Sequence, residues 1–165
     1  LADLPGCYTD PHITYWNFAI TLKHRNLKIR SIPDLKDKSI VGFQNAKNYL
    51  GEEFRQMAVN NPKYQEHADQ RIQNKMLFIG RTDVVIADRF IFEWFSKDQE
   101  VKKMVRADQK VIHHPLFEPS HFSAVFRSDV VCQRFNKGLK QMKKSGRYQE
   151  IISSYNVHEP ALAPQ

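Results

Sequence analysis

The chain has 165 residues, 41% of them hydrophobic and 26% charged, with 6 Gly, 8 Pro and 2 Cys. That length suits one domain, or one domain plus part of another, and the balance excludes collagen-like, low-complexity and disulfide-scaffold chains. Lys and Arg number 25 against 18 acidic residues, a net charge of +7, which permits contact with nucleic acid, anionic lipid or acidic ligands without selecting among them.

No apolar run approaches the length that crosses a bilayer, so no membrane insertion is expected. No basic-then-apolar leader opens the sequence, although a mature or trimmed chain reads the same way. Cys7 and Cys132 allow at most one disulfide and by themselves fix no redox compartment.

Along the chain, Cys7 follows Leu4-Pro5-Gly6, a faint lipid-attachment pattern without the apolar leader it requires. Phe18-Ala19-Ile20-Thr21-Leu22 reads as a strand. Tyr15, Trp16 and Phe18 could stack a ligand, but aromatic residues beside a strand more often belong to a core. Ile32-Pro33-Asp34-Leu35 suits a short helix with proline in its first turn. A strand over Ser39 to Phe43 leads into a loop, Gln44 to Asn48, and then a helix carrying Leu50, Phe54 and Met57. That helix must stop near Asn60-Asn61-Pro62, because the residue before a proline avoids helical angles. Ile72 to Ile79 forms another helix, closed by Gly80.

Asp83 to Ala87 is the clearest strand, apolar on both faces as a covered parallel sheet requires. Asp88 ends it and is placed to cap a helix bearing Phe90, Ile91, Trp94 and Phe95. Further strands are expected near Lys110 to His114 and Phe122 to Phe126. Two helices close the chain, Asp129 to Lys144 and Arg147 to Tyr155, split by Ser145-Gly146; a frayed tail is expected over Glu159 to Gln165. Lys137, Lys140 and Lys144 share one face of the first of these helices, which a solvated surface explains at least as well as a phosphate-binding stripe.

Strands alternating with helices predict an α/β fold with a parallel sheet. Ligands of such sheets sit at the carboxyl ends of strands. Two loops have that address, Gln44 to Asn48 and the turn at Asp88. The helix after the first offers backbone N–H groups to a carboxylate, and Asp88 at the second suits a cation or an ammonium group. His113-His114, with His121 nearby, is a weak metal candidate: neighbours on a strand point to opposite faces, so a surface pair is expected instead and no metal or other cofactor. Cys132 beside Val131 reads as a buried thiol. No nucleophile elbow, phosphate loop, zinc spacing or paired-carboxylate motif appears, so no enzyme is expected. Nor is a nucleic-acid partner, since no reading motif accompanies the basic charge.

Four segments carry a family resemblance. Tyr8-Thr9-Asp10-Pro11 resembles an "FSdPY" segment, and Ile32 to Gly42 resembles "slxDLkgkxVgv". Gly80 to Asp88 resembles "GrvDavvaD", and Phe135 to Leu139 with Lys144 to Ile151 and Tyr155 resembles "fNxalxxlxxsGxyxeIxxxy". In this order they are similar to the type 2 periplasmic solute-binding proteins of family 3, the group that includes polar amino-acid receptors of ABC transporters.

The resemblance implies two lobes that close by a hinge on a small polar, amino-acid-like ligand, in a periplasmic or otherwise extracytoplasmic protein. Its partner would be an ABC permease, or a sensor module if the chain is the ligand domain of a receptor or regulator. A basic surface-binding protein without a cleft is a further alternative. The implied organisation is residues 1–23 as the end of lobe one and the first crossover strand, 24–121 as an α/β second lobe, 122–155 as the second crossover strand and the helices of lobe one, and 156–165 as a tail. Phe18 to Lys23 and Phe122 to Arg127 would be the crossover strands. Most of the N-terminal part of lobe one has no counterpart in this sequence.

By the same resemblance Asp88 takes the ligand's ammonium group. The family's Gly-Thr-Thr carboxylate seat falls on Ala46-Lys47-Asn48, where the hydroxyls are gone but Lys47 or Asn48 could still bind an anion. Tyr15 is a further candidate contact. The stripe Val131, Phe135, Leu139 and Met142 would lack its usual cover, which predicts a homo-oligomer formed through the C-terminal helices.

Overall fold

A computed structural model describes residues 4–155, so the expected tail over Glu159 to Gln165 lies outside the described residues. In chain order the elements are β1 (Cys7–Tyr8), β2 (Ile13–Tyr15), β3 (Asn17–Leu22), β4 (Ile40–Phe43), α1 (Ala46–Tyr49), α2 (Glu52–Asn60), β5 (Tyr64–His67) and α3 (Gln70–Phe78). There follow β6 (Val84–Asp88), α4 (Arg89–Ser96), α5 (Gln99–Met104), β7 (Val111–His114), β8 (Ser120–Phe122), β9 (Val125–Phe126), α6 (Asp129–Lys144) and α7 (Arg147–Ser154). They form two compact units: a smaller one from the chain up to Thr14 and from His121 onward, and a larger one over Tyr15–Ser120.

The larger unit is built on a five-stranded sheet in the order β5-β4-β6-β3-β7. It is a mixed sheet, where the sequence suggested a parallel one. β4 runs parallel to β5 and β6, but β3 is antiparallel to both β6 and β7. The reason is that β3 reaches the sheet straight from the smaller unit, without the crossover helix that a parallel pairing needs. Alternation along the strands feeds two cores. Ala19, Val84 and Ile86 face Leu35, Ala46, Phe54 and Ala58, while Phe18, Ile20, Val85 and Ala87 face Leu77, Phe78 and Phe92. Residues that look apolar throughout in sequence therefore serve two layers, each large side chain worth about 1.5–3 kcal/mol on burial.

Local signals set the element ends. Ser31 and Asp34 form a capping box with Pro33 in the first turn. Asp69, Asp88 and Asp98 cap α3, α4 and α5 through side-chain oxygens. The helix expected to carry Leu50, Phe54 and Met57 is broken: α1 stops at Tyr49, and α2 starts after Gly51 at φ 91°, a left-handed angle that glycine tolerates. β1, β2, β5 and α5 are short and were not legible in the pattern.

The residues expected as crossover strands are placed differently. Those at 18–23 lie in β3 and the 3-10 turn after it, inside the sheet of the larger unit. Those at 122–127 end β8 and form β9, which pairs antiparallel with β1. The strands within which the chain passes from one unit to the other are β2 and β8, and these pair with each other. The apolar content of β3 marks burial on both faces, which the sequence pattern does not distinguish from a crossing strand.

In the smaller unit, Cys7 and Cys132 form a disulfide, so Cys132 is not a thiol. The segment before β2 is tied to the helices by further bonds. The Asn136 side chain accepts from the Asp10 N–H at 2.9 Å, and the Tyr148 hydroxyl donates to His12 O at 3.0 Å. Phe135 packs against His12 and Phe126, and Leu139 is buried, whereas Val131 stays 46% exposed and Met142 37%. The stripe is thus half covered, with Phe135 packed between His12 of the N-terminal segment and Phe126 of β9.

Candidate functional site

The chemistry gathers at the carboxyl ends of β4 and β6. These are adjacent parallel strands, with Ile40 opposite Val84 and Gly42 opposite Ile86, so the turn after β4 and Asp88 at the end of β6 leave the sheet at the same edge. Asp88 is 4% exposed. Its Oδ1 accepts from the N–H groups of Phe90 and Ile91 at 2.9 and 3.0 Å, and its Oδ2 from the Trp16 N–H at 2.7 Å. Burial pushes its carboxyl above the ordinary range, against the pull of these three donors. A carboxylate has about four acceptor directions, so one remains on Oδ2, enough for a single ammonium or hydroxyl donor.

The turn after β4 is shaped by Asn45, at φ 65° and ψ 16°, a left-handed conformation that asparagine adopts more readily than most residues. It brings two backbone N–H groups to one side, the geometry of an anion-binding nest. That nest is filled by the chain's own carboxylate. Glu66 on β5 accepts from Asn45 N–H at 2.8 Å through Oε2, and from Lys47 N–H at 3.1 Å through Oε1. The Tyr64 hydroxyl adds a third bond to Oε1 at 2.7 Å. Parallel pairing places Glu66 beside Gly42, and Tyr64, two residues back, shares its face. Burial, and then the hydrogen bond to Glu66 and its charge, push the Tyr64 phenol well above its ordinary range, so it stays a donor. A Cβ on Gly42 would sit 2.9 Å from the Tyr64 hydroxyl and 3.2 Å from Ala46 Cβ, so only glycine leaves room for this arrangement.

Of the residues singled out from sequence, Asp88 and the Ala46-Lys47-Asn48 turn share the edge. Ala46 is fully buried, so only its backbone could meet a ligand. Lys47 is half-buried with its N–H committed to Glu66, while Asn48 is exposed, its N–H donating to Asn45 O at 2.8 Å. Tyr15 is half-buried at the end of β2, next to the Trp16 that holds Asp88. Glu66 and Tyr64 were missed: Tyr-Gln-Glu-His is too polar to read as a strand. The only available signal was the alternation of Tyr64 and Glu66 just after Pro62.

The two adjacent histidines point to opposite faces, as expected, but they are not a surface pair. His114 is buried with Nε2 3.0 Å from Thr21 Oγ1, and His113 packs edge-on against Phe18 and Phe92. Burial lowers the pKa of both. His121 lies 3.0 Å from Thr14 Oγ1 in the smaller unit. Among the described residues no group of three or more His, Cys, Asp or Glu could hold a metal ion. A groove of about 560 Å³ runs along α4 and the α5–β7 connection, floored by Phe78, Phe92 and Val111. None of Asp88, Glu66 or the turn residues lines it.

This architecture is the periplasmic-binding-protein-like fold. Among solved structures, the chain is similar to the GluR0 ligand-binding core in complex with L-glutamate (14% identity, TM-score 0.67), covering 93% of this chain and 66% of that one. It is similar to the amino acid ABC transporter substrate-binding protein AbpA from Streptococcus pneumoniae bound to L-arginine (15%, TM-score 0.67; 91% and 60%). It also resembles a histidine kinase sensor domain with similarity to periplasmic binding proteins (15%, TM-score 0.68; 93% and 64%). The chain therefore spans 60–66% of the length of these structures, which are binding and sensor proteins. No protein-family model and no curated protein sequence matches it.

Proposed function

We propose that this chain is the ligand-binding part of an extracytoplasmic solute-binding protein that takes a small polar, amino-acid-like ligand for ABC transport. It acts by binding and not by catalysis. The observation that carries this reading is the buried Asp88 carboxylate, which keeps one acceptor direction at the same sheet edge as the turn after β4. Asp88 takes an amine of the ligand, Lys47 and Asn48 supply polar contacts from the turn, Ala46 offers only backbone, and Tyr15 flanks Asp88. The Cys7–Cys132 disulfide supports an oxidising, extracytoplasmic setting. A second reading, the ligand-sensing domain of a signalling receptor, is favoured by the likeness to a histidine kinase sensor domain.

Melting-temperature screening of the chain against amino acids, amines and small acids tests the proposal, since a ligand that binds only the folded state raises the midpoint. A rise with at least one amine-bearing compound, lost in Asp88→Ala, is the expected result; an unchanged rise in that variant removes Asp88 from the site. Val130, Val131 and Ile151 remain exposed on α6 and α7, which supports association of copies through these helices. Light scattering that gives a monomer mass at all concentrations rules that part out.

A further inference from the structure

We propose that Glu66 sets the specificity of this edge: its carboxylate occupies the turn that would otherwise hold a ligand carboxylate, so the group the larger unit recognises is an amine without a carboxylate seated beside it. The inference deepens the reading above and rests on it. Each Glu66 oxygen is already bonded, Oε2 to the Asn45 N–H and Oε1 to the Lys47 N–H and the Tyr64 hydroxyl. A ligand carboxylate could reach these N–H groups only by breaking both of their bonds to Glu66 and leaving two anions side by side, which is unfavourable at such range.

The charge of the edge points the same way. Glu66 and Asp88 contribute two carboxylates. Of the nearby cations, Arg71 at the start of α3 is held by Asp69 and Glu100, both at 2.9 Å, and Arg89 at the start of α4 by Glu93 at 2.9 Å. In the turn itself Lys47 is the single basic residue, against the two carboxylates, so the edge keeps an excess of negative charge and favours a cation. Position 66 thus acts as an internal stand-in for a ligand anion.

Two measurements test this separately from the functional reading. Nitrogen-15 NMR of the 165-residue chain follows the Asn45 and Lys47 amide resonances during titration with sodium acetate. They should stay unmoved in the wild type and shift saturably in Glu66→Ala, with Glu66→Ser as the second variant if the first folds poorly. Saturable shifts in the wild type, or none in either variant, overturn the role of Glu66. Thermal shifts then compare agmatine with arginine and putrescine with ornithine. The amine of each pair should bind the wild type at least ten-fold more tightly than the amino acid, and Glu66→Ala should narrow the gap. Equal wild-type affinities for both members overturn the specificity claim. If none of the four compounds binds, the functional reading fails and the specificity claim with it, while the acetate titration still decides whether the seat is filled.

Discussion

Asp88 is held by one more donor than a helix cap requires. Two of its bonds cap α4 and the third ties down Trp16 on β3's approach. Loss of the cap costs about 0.5–2 kcal/mol, and stranding the half-buried Trp16 N–H about 1–3 kcal/mol more. Asp88→Ala should therefore destabilise the larger unit by about 1.5–5 kcal/mol in urea melts. Asp88→Asn, which keeps an accepting oxygen for the cap, should cost about half as much. Its pH signature is also distinctive. Because burial raises the Asp88 pKa in the folded state, its stabilising contribution is full below the unfolded carboxylate range and declines as pH rises through the folded value.

Asp83, at the amino end of the same strand, has the opposite sign. Burial opposes its ionisation, but the Ser39 N–H and hydroxyl bonds, at 2.9 and 2.8 Å, outweigh that, helped by Arg25 at 2.7 Å and by Lys38. Its pKa is lowered, so its contribution is present above the unfolded value and is lost as pH falls through the folded one. Asp83→Asn should flatten the acid limb of the stability–pH profile below about pH 4 while leaving the slope due to Asp88 in place. An unaltered acid limb would show that the Ser39 bonds do not hold Asp83 ionised.

At the scale of elements, the unit that matters is β4, its turn and β5. Gly42 admits the Tyr64 ring, Tyr64 aims its hydroxyl at Glu66, and Glu66 fastens the turn. Gly42→Ala should displace Tyr64, loosen the Asn45 and Lys47 amides, and speed their hydrogen exchange at least several-fold, while β6 keeps its protection. Uniform exchange changes across the sheet would show that the glycine matters only for general packing. Much of this region is legible in sequence: β4 by its apolar run, the end of α2 by Pro62, and the Asp88 cap by its place before an amphipathic helix. The Glu66 contact is not, because it joins residues 21 positions apart whose meeting depends on which strand lies beside β4. The break at Gly51 was hidden for a different reason. Leu50 and Phe54 keep helical spacing across it.

For the whole molecule, the disulfide is the long-range constraint. It joins residues 125 apart, so the chain-entropy argument assigns it about 4–5 kcal/mol through the unfolded state. The double variant Cys7→Ser/Cys132→Ser should lower the unfolding free energy of the smaller unit by that order and expose the Phe135–His12 contact. Denaturation followed by near-ultraviolet circular dichroism, with and without reductant, checks it; identical curves would show that the bond adds nothing to stability.

Composition, apolar period and capping residues determined the α/β character of the chain, most of its long elements and the position of Asp88. These depend on interactions within a few residues, which a sequence records directly. Only the tertiary structure decided that the sheet is mixed, that β2 and β8 are the strands in which the chain changes unit, that Cys7 meets Cys132, and that Glu66 fills the turn. Each of these depends on which distant segments become neighbours, and the local pattern of either partner is compatible with several choices of the other.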